Sequence, residues 1–220
     1  MRRRPILLAI ATGTTALAGC LGDQSTDDGT GGGSDDDGRS NGSGSDETVL
    51  DHFDSKPDRP ECEVDSETIE IESDDGYTEY ETAATVPYPD PPASVSDEDA
   101  VVEYVEDFEH AYVTQNTLCE RNGSDHILNI GFHVQKRETL DRHDDITTVF
   151  LYRAGGATWG VEDDGPEWAT ELAYDGVVYA VDETGVARVD FPEADPWMEE
   201  DVVTDAPDPL ETGELVSLFD

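Results

Sequence analysis

The chain has 220 residues, room for one ordinary domain with extensions. Its 54 Asp and Glu against 12 Lys and Arg give a net charge of -42, and a surface that negative repels phosphates. A nucleic-acid partner is therefore excluded.

The chain begins Met1-Arg2-Arg3-Arg4-Pro5, then Ile6-Leu7-Leu8-Ala9-Ile10-Ala11, and reaches Leu17-Ala18-Gly19-Cys20. A charged start, a short apolar middle and a small-residue end describe a secretory signal, residues 1–19. A membrane-spanning helix needs about 20 apolar residues, and the stretch from Ile6 to Leu17 is shorter and diluted by Thr and Gly. Arg3 and Arg4 ahead of the apolar run resemble a twin-arginine export signal. Leu17, Ala18 and Gly19 before Cys20 resemble a lipobox. That resemblance implies cleavage before Cys20 and a lipid on its thiol, which would make the membrane the first partner.

Residues 20–48 contain Gly31-Gly32-Gly33 and Asp35-Asp36-Asp37 in a background of Ser, Thr and Gly. This composition predicts a flexible spacer with an end-to-end distance of roughly 30 Å. The alternating Asp spacing of a calcium loop is missing from it.

Residues 49–220 read as a folded domain. Thr68 to Glu72 and Tyr77 to Val86 suggest a hairpin around Asp74-Asp75-Gly76. Pro87, Pro89, Pro91 and Pro92 make a stiff extended approach. Ser96 is the expected cap of a helix that ends near Glu120, before Asn122-Gly123. Val101, Val105, Phe108, Tyr112 and Cys119 form its apolar face, widened by Tyr104, Ala111 and Leu118. Glu103, Glu106, Asp107 and Glu109 are expected off that face.

From Leu128 the period changes to two, with Ile130, Phe132 and Val134 alternating with polar residues. Thr147 to Arg153 and Trp168 to Tyr174 read as further strands. Asp175-Gly176 reads as a hairpin turn into Val177 to Val181. A loop at Glu183-Thr184-Gly185 leads to Val186 to Phe191, Pro192 to Pro209 is irregular, and Leu215 to Phe219 closes the sheet. One long amphipathic helix on a curved antiparallel sheet gives a two-layer α+β fold. The arrangement resembles cystatin-like and nuclear-transport-factor-like folds, an analogy that assigns no activity.

Acids spread over the whole domain, with only Lys56 and Lys136 as lysines, fit a folded surface for concentrated salt. At about 1 M salt the Debye length falls to roughly 3 Å, so crowded carboxylates cease to repel. This composition resembles haloarchaeal proteins. Tyr88-Pro89-Asp90-Pro91-Pro92 followed by Tyr104-Val105-Glu106-Asp107-Phe108-Glu109 is similar to a group of haloarchaeal lipoproteins without an assigned activity.

Cys62 and Cys119 remain once Cys20 is lipidated. Outside the cell they suggest a disulfide, and a buried free thiol at Cys119 is the alternative. Asn41 and Asn122 head glycosylation sequons. His52, His110, His126, His133 and His143 show no metal-ligand spacing, so no metal and no cofactor are expected. Acidic pairs such as Asp144-Asp145 carry no catalytic signal in so acidic a chain, and no catalytic residue is assigned. The expected protein is therefore an exported lipoprotein on the extracellular face of the cell membrane, a non-enzymatic binding or structural module; the sequence does not say whether it has a protein partner. The alternative is a small-ligand-binding protein or hydrolase, using a pocket between helix and sheet where Trp159, Trp168, Trp197 and tyrosines gather.

Overall fold

A computed structural model describes residues 47–73, 76–120, 125–163, 165–172, 174–194 and 205–219. The export signal at Arg3 and Arg4, the lipobox, Cys20, both sequon asparagines, Asp74, Asp75 and Trp197 lie outside them. Everything described belongs to one compact unit, Ser43–Asp220. Among the described residues no helix is long and apolar enough to cross a membrane.

The elements in order are β1 (Thr68–Ser73), β2 (Gly76–Glu81), α1 (Glu98–Glu120), β3 (Asp125–Leu140), β4 (Thr147–Glu162), β5 (Glu167–Leu172), β6 (Asp175–Val181), β7 (Gly185–Phe191), α2 (Pro209–Thr212) and β8 (Glu214–Leu218). Strands β1 and β2 form a separate hairpin. The main sheet runs β3-β4-β6-β7-β8, fully antiparallel, with β5 also paired to β4. One long helix packs against this curled sheet, an α+β fold.

Helix α1 starts one turn position later than Ser96 predicts. Asp97 caps it, its carboxylate accepting the Ala100 N–H at 3.4 Å and its carbonyl the Val101 N–H at 3.0 Å. Ser96 instead shares a hydrogen bond with Ser94 at 2.9 Å. An ionised side chain is the stronger acceptor for the free N–H groups of a first turn.

Val101, Tyr104, Val105 and Phe108 of α1 bury against Val149 and Leu151 of β4, Val177, Tyr179 and Val181 of β6, Val186 of β7 and Val216 of β8. Phe108 meets Tyr179 edge-on at 5.9 Å and Tyr88 at 4.8 Å. The far side of the helix is covered by the proline-rich approach. Gln115 accepts the Cys62 N–H at 3.2 Å and donates to the Val86 carbonyl at 2.9 Å. Gln115 is thereby buried off the expected stripe, and Val113 and Thr114 are buried too. Cys62 and Cys119 are joined as a disulfide with Cα atoms 5.8 Å apart, fastening the same segment to the last turn of α1.

The opposite face of the sheet is buried as well. Phe150, Tyr152, Val178 and Phe191 pack with Ala194 and Ala206 from the irregular tail. Ala180 and Ala187 pack with Val49 and Leu210. The continuous apolar run of β6 follows from this, because both its faces are covered. Val49 is held in place through its N–H, donated to Asp182 Oδ2 at 2.8 Å. Asp182 Oδ1 also accepts the Thr184 and Gly185 N–H groups, shaping the β6–β7 turn.

Two strand readings are corrected. Strand β4 runs nine residues past Arg153, through a Gly-containing stretch that reads as a break. Gly156 is there because a Cβ would lie 2.1 Å from the Gly131 carbonyl oxygen on β3. Register shifts near Phe132 and Val134 curl the β3–β4 pair at this point. Second, Asp175-Gly176 makes no hairpin between β5 and β6. Both strands pair with β4, β5 with Gly156–Val161 and β6 with Thr147–Arg153. Gly176 serves packing instead, since a Cβ would stand 2.7 Å from the Phe150 ring and 2.8 Å from Ala194.

The disulfide closes a loop across the approach and the whole of α1. Replacing both Cys62 and Cys119 by Ser is expected to lower the unfolding free energy by about 2–4 kcal/mol, read from denaturant titrations at constant salt. An unchanged midpoint would show that the approach segment holds without it.

Candidate functional site

Glu109 occupies the middle of α1 and is completely buried, against the expectation that it lies off the apolar face. Its spacing carries a signal that was available: Glu109 continues Val101 and Val105 by a further step of four and precedes Tyr112 by three. The helix therefore aims this carboxylate at the same sheet surface as its valines.

The sheet answers with cations. Register places Tyr179 of β6 opposite Val149 of β4 and Arg188 of β7. One step further, Val177 stands opposite Leu151 and Asp190, and then Asp175 stands opposite Arg153. Because side chains alternate across a strand, all of these residues face α1. Arg153 Nη1 donates to Glu109 Oε1 at 2.6 Å, and Arg188 Nη2 donates to the same oxygen at 3.2 Å. Arg188 Nε donates to Glu109 Oε2 at 3.1 Å, and the Tyr179 hydroxyl donates to that oxygen too.

Each arginine also holds an outer carboxylate. Arg153 reaches Asp175 Oδ1 through Nε at 2.8 Å and Nη2 at 2.5 Å. Arg188 Nη2 reaches Asp190 Oδ1 at 2.9 Å, and its guanidinium lies 4.1 Å from the centre of the Tyr112 ring. Two guanidinium cations thus face three carboxylates.

The environment tunes these groups. Burial opposes the charge of Arg188, but Glu109, Tyr179 and Asp190 together outweigh it and the pKa rises. Burial, and after it the Glu109 charge, holds the Tyr179 hydroxyl protonated as a donor. Burial raises the Asp175 carboxyl, Arg153 pulls it back, and the Asp190 and Glu109 charges push it up again.

Beside this network a cleft of about 540 Å³ opens between the last turns of α1 and the sheet. Tyr112, Phe132, Leu172 and Pro192 supply its apolar wall, while Arg153, Asp175, Arg188 and Asp190 converge at its floor. Asn116 and Thr117 line the helical side. The cleft thus combines apolar side chains with a group of charged ones.

No protein family, curated protein or solved structure matches this chain.

A second hollow, of about 820 Å³, lies at the other end of the sheet between Thr48, Ser96 and the Asp182 turn. It is rich in carboxylates, among them Glu98, Asp141, Asp144 and Asp145. Among the described residues no group of three or more His, Cys, Asp or Glu is close enough to hold a metal ion.

The histidines take scattered places. His52, His110 and His133 are exposed. His126 pairs with Asp163 at 2.8 Å, and His143 with Asp208 at 3.0 Å, where Asp208 caps α2. Of the tryptophans and tyrosines considered for a pocket, Tyr112 reaches the cleft, while Trp159 is partly exposed on β4. Arg153, Arg188, Asp175 and Asp190 were not singled out from the sequence. The signal was an arginine in each of two apolar strands of a chain holding only 12 cations.

Changing Glu109 to Gln leaves two guanidinium groups without their central counter-charge. We expect E109Q to lower stability by about 3–5 kcal/mol, measured by denaturant unfolding. Tyr179→Phe, which removes a donor to Glu109 and an acceptor for Arg188 Nε, is expected to cost about 1–3 kcal/mol.

Proposed function

We propose that this chain is an exported lipoprotein, held on the extracellular face of the cell membrane through Cys20. Its domain is a non-enzymatic module that takes a small ligand in the cleft between α1 and the sheet. The cleft carries the binding half of this reading, since it opens where the apolar core gives way to Arg153, Asp175, Arg188 and Asp190. The run Leu17-Ala18-Gly19-Cys20 behind a short apolar segment carries the location.

The acidic surface suits brine, where screening over roughly 3 Å at about 1 M salt lets the carboxylates crowd.

Two outcomes are expected. Cys20→Ser should move the mature protein from the membrane fraction to the medium, followed by fractionation and by mass spectrometry for lipid. Retention in the membrane would overturn the anchor. Transfer from molar salt to dilute buffer should unfold the domain, read by circular dichroism, because -42 charges then repel unscreened. A domain equally stable in both would show that the acidity serves another purpose.

A further inference from the structure

The polar floor of the cleft is unbalanced in a defined way. Arg153 and Arg188 are enclosed, with side chains 15% and 6% exposed, and both are committed to the fully buried Glu109. Their pairings with Asp175 and Asp190 all end on the Oδ1 atoms of those carboxylates. Both aspartates line the cleft. Asp190 pairs across the ladder with Val177, two residues along β6 from Asp175, so the two carboxylates are diagonal neighbours on one face. The five charged groups sum to one negative charge.

An anionic ligand has little to gain here. Its natural partners, the guanidinium groups, are already neutralised, and the rest of the chain repels it. A neutral ligand would leave the excess charge at the floor. A positive head group would lie against Asp175 and Asp190 and cancel it. Beside those carboxylates stand the Tyr112 and Phe132 rings and Leu172, which suit an apolar body and, for the rings, a cation over an aromatic face. A bare metal ion would use none of that apolar wall.

We propose that the cleft binds a small organic monocation, its amidinium, guanidinium or ammonium head on the Asp175 and Asp190 carboxylates and its apolar body against Tyr112, Phe132 and Leu172. This rests on the reading of the cleft as the binding site and adds the ligand's charge class. The half-burial of Asp175 strengthens the pairing, because an ion pair gains as water is excluded. Arg188, stacked on Tyr112, keeps that ring in place as part of the wall.

Three probes with one body and different charge test it: benzamidine, benzamide and benzoate. Binding of each to the full chain in molar sodium chloride is measured by isothermal titration calorimetry. Benzamidine is expected to bind at least about tenfold more tightly than benzamide, with benzoate weakest. Asp190→Asn, at a side chain 62% exposed, is expected to weaken benzamidine by about five- to tenfold and benzamide by less, with the fold checked by circular dichroism. If benzamide or benzoate binds as tightly as benzamidine, or if D190N leaves benzamidine unaffected, the cation proposal is overturned while the cleft remains a binding site. If none of the three binds, the cation proposal and the binding reading both fail.

Discussion

A single carboxylate with no access to water ties the helix to the sheet. Glu109 is the meeting point of α1, β4, β6 and β7, accepting hydrogen bonds from Arg153, Tyr179 and Arg188. Burying such a charge is costly, and the cost is offset only while every partner is in place. Sliding the helix by one turn would strand a carboxylate and two guanidinium groups in a core of valines. Apolar packing alone tolerates such shifts far better. The network therefore selects one register of helix on sheet, and the positions of Tyr112, Asn116 and Thr117 above the cleft follow from it.

The choice of cation matters in a chain with few. Guanidinium groups remain charged when buried and present several N–H donors in a fixed plane. Arg188 uses that plane to serve Glu109, Tyr179 and Asp190 at once, while its face rests on Tyr112. In concentrated salt, exposed ion pairs such as Arg137 with Glu106 are screened. Contacts of 2.6–3.2 Å inside a core admit no mobile ions, so the Glu109 network retains its strength where surface pairs lose theirs.

The same surface is core at one end and cleft at the other. Along the helix-facing side of the sheet, Val149 and Tyr179 give way to Leu151 and Val177, then to Arg153 and Asp175. On the helix, Phe108 fills the first region and Tyr112, Asn116 and Thr117 overlook the last. Polarity rises in step on both layers, so the layers stop closing on each other where charged pairs replace apolar contacts. Curling of β3 and β4 at Gly156 brings Phe132 round as the far wall.

Periodicity was enough to read the amphipathic helix, the alternation of β3, the closing strand β8 and the α+β class, because each depends on local spacing. Glu109 was expected off the apolar face, because a charge is legible as buried only once Arg153 and Arg188, 44 and 79 residues away, are known to meet it. Gly176 shows the same limit. Asp-Gly is a turn signal by local propensity, and only the approach of Phe150 and Ala194 from elsewhere in the chain makes it a packing glycine inside β6. The amino-acid order by itself determined the elements and the charged surface, since backbone preference and solvation act on neighbours. Which strands pair, which charges meet and where the cleft opens were decided by tertiary structure alone, since those depend on contacts between residues that no local pattern relates.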